Sequence, residues 1–164
     1  NLNASQAKEV VAITEDGAKN LFETSVSCIG STVCQIGLRD SQGLLASIVA
    51  TVEPYHFADG VLPRIHISGC TSSCGTHQIG KLGFHGASKR VDGKMQPAFA
   101  FHVNGTDAQG AEHFGEEWGV MAADVIPEFF VELGQVISDE NLTYEVWYAK
   151  HPDKLKKIAE KYIR

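Results

Sequence analysis

The most regular apolar stripe lies towards the carboxyl end of the chain. Val125, Ile126, Phe129, Phe130, Leu133, Val136 and Ile137 recur at helical spacing. Pro127 falls in the first turn of that stripe and Asp124 just upstream, a combination that suits a helix start. A second stripe, Leu44, Leu45, Ile48, Val49 and Val52, predicts a helix that ends before Pro54; Arg39, Asp40, Gln42 and Ser47 fall mostly off it. A third helix starts near Pro152, with Leu155, Ile158, Ala159 and Tyr162 opposite Lys154, Lys156, Lys157 and Lys161. Two-residue alternation predicts strands over 64–68, 81–85 and 98–103, with turns at Asp92-Gly93 and Asn104-Gly105. Further strands are expected over 9–13, closed by Asp16-Gly17, and over 23–27, running into Cys28. Tyr144, Val146, Trp147 and Tyr148 read as an aromatic packing cluster. Strands alternating with helices and followed by a hairpin predict an α/β fold, a mixed β-sheet covered by helices.

A chain of 164 residues suits one domain over 1–164, with residues 1–22 as a lead-in, and is long enough to bury a core unaided. The formal charge of -6 argues against a nucleic-acid surface, and the one basic run, near the end, is expected to be a solvated helix face. No apolar stretch reaches the ~18 residues of a membrane span and no signal peptide is visible, so a soluble, cytoplasmic protein is expected. Asn1 in place of an initiating Met suggests a piece of a longer protein.

The four cysteines change this picture. Cys28 and Cys34 form a C-x5-C pair, and Cys70 and Cys74 a C-x3-C pair that directly follows a predicted strand. Two thiol pairs one helix-and-strand length apart suggest a four-thiolate site, which can hold an iron–sulfur cluster or zinc. Structural zinc knuckles are usually tighter than C-x5-C, and small residues (Gly30, Ser31, Thr32, Gly69, Ser73, Gly75) let backbone amides approach a bulky anionic group. These features favour the cluster, with buried structural thiols or disulfides as the plainer alternatives. A helix starting at Cys34, and a short one over 75–79, would turn positive ends towards such a group.

C-x5-C followed by Ser68-Gly69-Cys70-x3-Cys74-Gly75, then His77 and 81–86, resembles the siroheme and 4Fe-4S domain of the nitrite and sulfite reductase family. The resemblance runs from about Val26 to Gly86 and more loosely to the end; many members carry Pro-Asn where this chain has Thr71-Ser72. It implies that Cys28, Cys34, Cys70 and Cys74 hold a 4Fe-4S cluster and that Cys74 bridges it to siroheme iron. It also implies an oxidoreductase that reduces nitrite to ammonia or sulfite to sulfide. Electrons would come from ferredoxin or a flavoprotein, and the remaining domains of the reductase would supply the anion-gripping Arg and Lys. Ser31, Thr32, Thr71 and Arg39 are candidate cofactor contacts by proximity alone, and the isolated chain is expected to be inactive. The alternatives are a haem-free electron-transfer module and a zinc- or disulfide-stabilised binding domain.

Seven histidines add less. His66 and His102 are expected to be structural or to face the other layer of the sheet, and His77 is a conceivable zinc ligand beside Cys70 and Cys74. His56 and His85 have no assigned role. Glu116-Glu117 and Asp139-Glu140 read as solvated, and no nucleophile–His–acid set or phosphate loop is present.

Overall fold

The structure is a computed structural model that describes residues 2–14, 17–106 and 108–163. Five strands form one sheet in the order β1-β2-β3-β4-β5: β1 (Val26–Ser27), β2 (Ile65–Ser68), β3 (Leu82–Val91), β4 (Lys94–Val103) and β5 (Glu116–Ala122). The first three are parallel and the last three antiparallel, the mixed sheet expected from the sequence. A helix, α2 (Ser41–Val52), connects β1 to β2, as parallel neighbours require. The tight Asp92-Gly93 turn joins β3 to β4 with both residues at positive φ.

The pleat sorts the side chains. Ile65 and Ile67, Leu82 and Phe84, and Phe99, Phe101 and Val103 point to one face and are fully or nearly fully buried. Against that face pack α2, α3 (Ile126–Asp139) and α5 (Pro152–Ile163). Phe84 stacks on Phe101 at 4.9 Å between ring centres, and Phe129 of α3 meets Phe101 edge-on at 5.4 Å. Burial of this face, which also takes Trp147 and Tyr144, is the main source of stability. The opposite face carries His66, Ser68, Gly83, His85 and His102, partly covered by a 3-10 turn at His77–Ile79.

Two expectations need correction. The 9–13 segment lies in a helix, α1 (Ala4–Ile13), started by a reciprocal Asn3/Gln6 capping box, and none of its residues is buried. Without a partner strand, local capping decides its conformation; Asp16 of the expected turn lies outside the described residues. Residues 23–27 divide into a 3-10 turn at Phe22–Thr24 and the two-residue β1. The aromatic residues at 144–148 lie in a short helix, α4 (Tyr144–Lys150), which packs Tyr144 and Trp147 into the core as expected, and the exposed acidic pair Glu116-Glu117 opens β5. Among the described residues no helix is long and apolar enough to cross a membrane.

Candidate metal centre

Both cysteine pairs emerge from the carboxyl ends of adjacent parallel strands, the usual place for ligands in open α/β sheets. Cys28 follows β1 and keeps the ladder going, its amide donating to Ile67 O at 3.0 Å. Gly69 and Cys70 follow β2. The two loops are laced together. The amides of Leu38 and Arg39 both donate to the Gly69 carbonyl (3.0 and 2.8 Å), and the Ser31 amide donates to Arg39 O at 2.9 Å. The Cys34 amide donates back to Gly30 O at 2.9 Å, curling the first loop so that its second thiol faces the second loop.

All four cysteines line one recess of about 80 Å3, together with Ile36 and the backbone of Gly30, Gly37 and Gly69. The thiols are free, three half-buried and Cys74 exposed. Among the described residues the four sulfurs are not gathered as closely as the ligands of a single metal ion.

Cys28 is the best prepared of the four. Burial alone would push its thiol up, but Ser41 Oγ at 3.2 Å and the Gly69 and Gly30 backbone outweigh it, so the net shift favours thiolate. The Gly69 amide donates to Cys28 Sγ at 3.0 Å. Ser41 opens α2, whose cap is Asp40; its side chain accepts from the Gly43 amide at 2.9 Å. The helix start expected at Cys34 therefore lies at Ser41, and its end abuts Cys28 instead. Cys34 is held by turns, because Asp40 offers the capping side chain that Cys34 lacks. On the second loop Ser73 and Thr76, with φ of 59° and 53°, turn the chain sharply on either side of Cys74 and Gly75. Ser68 Oγ anchors that loop by accepting from the Gly75 amide at 3.1 Å.

The other candidate residues stand outside the recess lining. Thr32 donates to Ile29 O at 3.3 Å, and Ser31 and Thr71 are exposed on the loop surfaces. Arg39 reaches the other way, its Nε donating to Ala87 O at 2.7 Å and a terminal nitrogen to Ser88 Oγ, so that it ties the first loop to β3. His77 turns away from Cys70 and Cys74. Its Nδ1 lies 2.9 Å from Ser68 Oγ and its ring packs against His85 and His102. The expectation that His102 faces the other layer is met; its meeting with His77 and His85 was not foreseen.

An α/β mixed sheet with four thiols in a single recess is the architecture these observations define. No family model matches the chain. It is similar to the ferredoxin–nitrite reductase of Synechococcus elongatus, 34% identical over 100 residues that make up 59% of this chain and 19% of that protein. It is also similar to the assimilatory ferredoxin-dependent nitrite reductase of Haloferax mediterranei, 26% identical over 83% of this chain and 24% of that one. The sulfite reductase hemoprotein beta-component of Bacillus velezensis matches at 24% over 71% of this chain. The chain therefore spans about a fifth to a quarter of the relatives' length. The solved NirA protein of Mycobacterium tuberculosis shares the fold, with a TM-score of 0.61 at 17% identity over 79% of this chain and 26% of that one.

Proposed function

We propose that this chain is the iron–sulfur domain of a nitrite or sulfite reductase, with Cys28, Cys34, Cys70 and Cys74 as the ligands of a 4Fe-4S cluster. The observation that carries this reading is the convergence of four free thiols from two separate loops on one recess. The likeness to nitrite and sulfite reductases supports it independently. A 4Fe-4S cluster and siroheme supply the multi-electron redox chemistry when bound. The chain's own residues hold and tune. The Gly69 N–H donates to the Cys28 sulfur, a kind of contact that raises a cluster's potential, and the Ser41 hydroxyl packs against that sulfur while donating to Cys28 O at 2.8 Å.

Cys74, the most exposed of the four, is the thiolate assigned to the siroheme side. Around the recess Ile29, Val33, Ile36 and Leu38 leave large apolar side chains in solvent, 71% exposed at Ile36. Such a patch suits burial against the remaining domains of the reductase and its macrocycle. The two nitrite reductases at 30% identity or above are ferredoxin-dependent, so nitrite and ferredoxin are the substrate and donor assigned first.

The test is anaerobic reconstitution with iron and sulfide, followed by siroheme titration of the wild-type chain and of Cys74→Ser. Siroheme absorption that shifts on binding to the wild type and not to the variant is the expected result. A cluster that forms while siroheme binds neither protein would reduce the reading to an electron-transfer module without haem. Absence of any cluster would refute it.

A further inference from the structure

The face of the sheet turned away from the helices carries a group for which the thiol site has no use. His85 of β3 and His102 of β4 share that face, since Gly83 pairs with His102 and His85 with Ala100. His77 reaches them from the 3-10 turn, which lies so close on β3 that a Cβ at Gly83 would sit 1.9 Å from the His77 carbonyl oxygen. The three rings form a nearly equilateral triangle, with centres 4.8, 4.9 and 5.0 Å apart. One nitrogen of each lies within 4.8 Å of the other two.

Their orientation is fixed from outside. His77 Nδ1 lies 2.9 Å from Ser68 Oγ; in the tautomer whose Nδ1–H donates to that oxygen, Nε2 is unprotonated and able to ligate, the arrangement by which an outer hydroxyl sets the ligating nitrogen of an imidazole. His85 Nδ1 and His102 Nε2 face each other at 2.8 Å, so only one of them carries a proton in the neutral pair. Glu117 of β5 brings a carboxylate oxygen to 3.8 Å from His102 Nε2. A tetrahedral ion with ~2.0–2.1 Å bonds to nitrogen separates its ligand atoms by ~3.3 Å; here His85 and His102 stand closer, at 2.8 Å, and the three nitrogens span up to 4.8 Å, so the rings adjust slightly around an ion. Burial holds all three rings in the neutral form that ligates, lowering His77 to about 4. Two buried imidazoles and a half-buried third gain little from packing that apolar residues would not give better, and three nitrogens with one oxygen suit zinc-like ions.

We propose that His77, His85 and His102 bind a divalent transition-metal ion, zinc first, with Glu117 as the fourth ligand, at a site separate from the four cysteines. Ser68 joins the two sites, because its hydroxyl holds both His77 and the Gly75 amide next to Cys74. The bound ion thereby stiffens the second cysteine loop.

Cobalt(II) titration of the full chain under anaerobic conditions tests this apart from the thiol reading, since thiolate-bound cobalt gives intense near-ultraviolet charge-transfer bands and nitrogen–oxygen-bound cobalt does not. The expected result is one cobalt per chain with weak visible bands alone, displaced by zinc. In His85→Gln, whose site is only half-buried, that equivalent is weakened at least 100-fold while the circular dichroism spectrum is unchanged. Imidazole nitrogen resonances of the wild type give a second reading that needs no variant: zinc is expected to shift His77, His85 and His102 and leave His56 unmoved. Cobalt bound only through thiolate, an undiminished equivalent in His85→Gln, or unshifted resonances of the three rings would each overturn the proposal.

Discussion

Substitution of Gly86 by Ala probes how the cysteine loops are seated. Gly86 lies in β3 with ordinary extended backbone, so alanine adds no torsional strain and its effect is purely steric. The added Cβ would stand 2.1 Å from the Gly69 carbonyl oxygen and 3.0 Å from Arg39 Cγ. To restore even a tight 3.0 Å contact the Gly69 carbonyl must withdraw by about 0.9 Å, taking Cys70 with it. That carbonyl also accepts from the amides of Leu38 and Arg39, so the first loop is loosened as well. Overpacking of this kind costs about 1–3 kcal/mol and each weakened hydrogen bond up to about 1 kcal/mol, giving about 2–4 kcal/mol in all. For a chain of this size the melting temperature should fall by about 5–15 °C. Gly93→Ala is the matched control. Its added carbon meets nothing within 4 Å, and only the strain of its φ of 78° remains, about 1 kcal/mol. Urea melts of the apo proteins and iron per chain after reconstitution are the assays. Gly86→Ala is expected to lose most of its iron while Gly93→Ala loads fully. Full loading of Gly86→Ala, with a urea midpoint no lower than that of Gly93→Ala, would refute the interlocked-loop geometry.

Phe101→Ala should destabilise by about 3–5 kcal/mol in urea melts, because its fully buried ring is packed by Phe84, Phe129 and Trp118. Ser41→Ala removes the hydroxyl that donates to Cys28 O at 2.8 Å and lies 3.2 Å from its sulfur, so Cys28 is held less firmly and iron per chain after reconstitution should fall, as read by metal analysis. Glu140 takes hydrogen bonds from Lys154, Trp147 and His151, and its carboxyl is held below the usual range, chiefly by Lys154. Its stabilising share is present above the ordinary carboxylate pKa and is lost as pH falls through the depressed folded value, so acid should loosen the α4–α5 end first. Trp147 fluorescence against pH, compared with Glu140→Gln, checks this. The chain alone, supplied with siroheme and reduced ferredoxin, is expected to form no ammonia from nitrite.

Where the chain buries a face, its pattern was readable. The stripes of α2, α3 and α5 and the alternation of β2 and the cores of β3 and β4 follow from one apolar side meeting another. Segments without a buried face carry no such signal. Val10, Val11 and Ile13 resemble a strand by residue type, but all three are exposed on α1, which its Asn3/Gln6 cap sets in place. β5 was hidden by Glu116 and Glu117, since a strand pairing at a sheet edge can begin in solvent. The cysteine pairs were legible because spacing along the chain carries their chemistry. The histidine triangle was not, because His77, His85 and His102 meet only once the register of β3 with β4 and the seat of the 3-10 turn on Gly83 are known. Ser41 escaped notice for a similar reason, lying 13 residues from the sulfur it contacts.

The most direct measurement is the iron, acid-labile sulfide and zinc content of protein prepared without oxygen, taken with its visible spectrum. Iron and sulfide in equal amounts, about four of each per chain and lost in Cys28→Ser and Cys74→Ser alike, is the expected result. Zinc held by the cysteines in place of iron, or four thiols oxidised in pairs with no capacity to take up iron and sulfide after reduction, would contradict it.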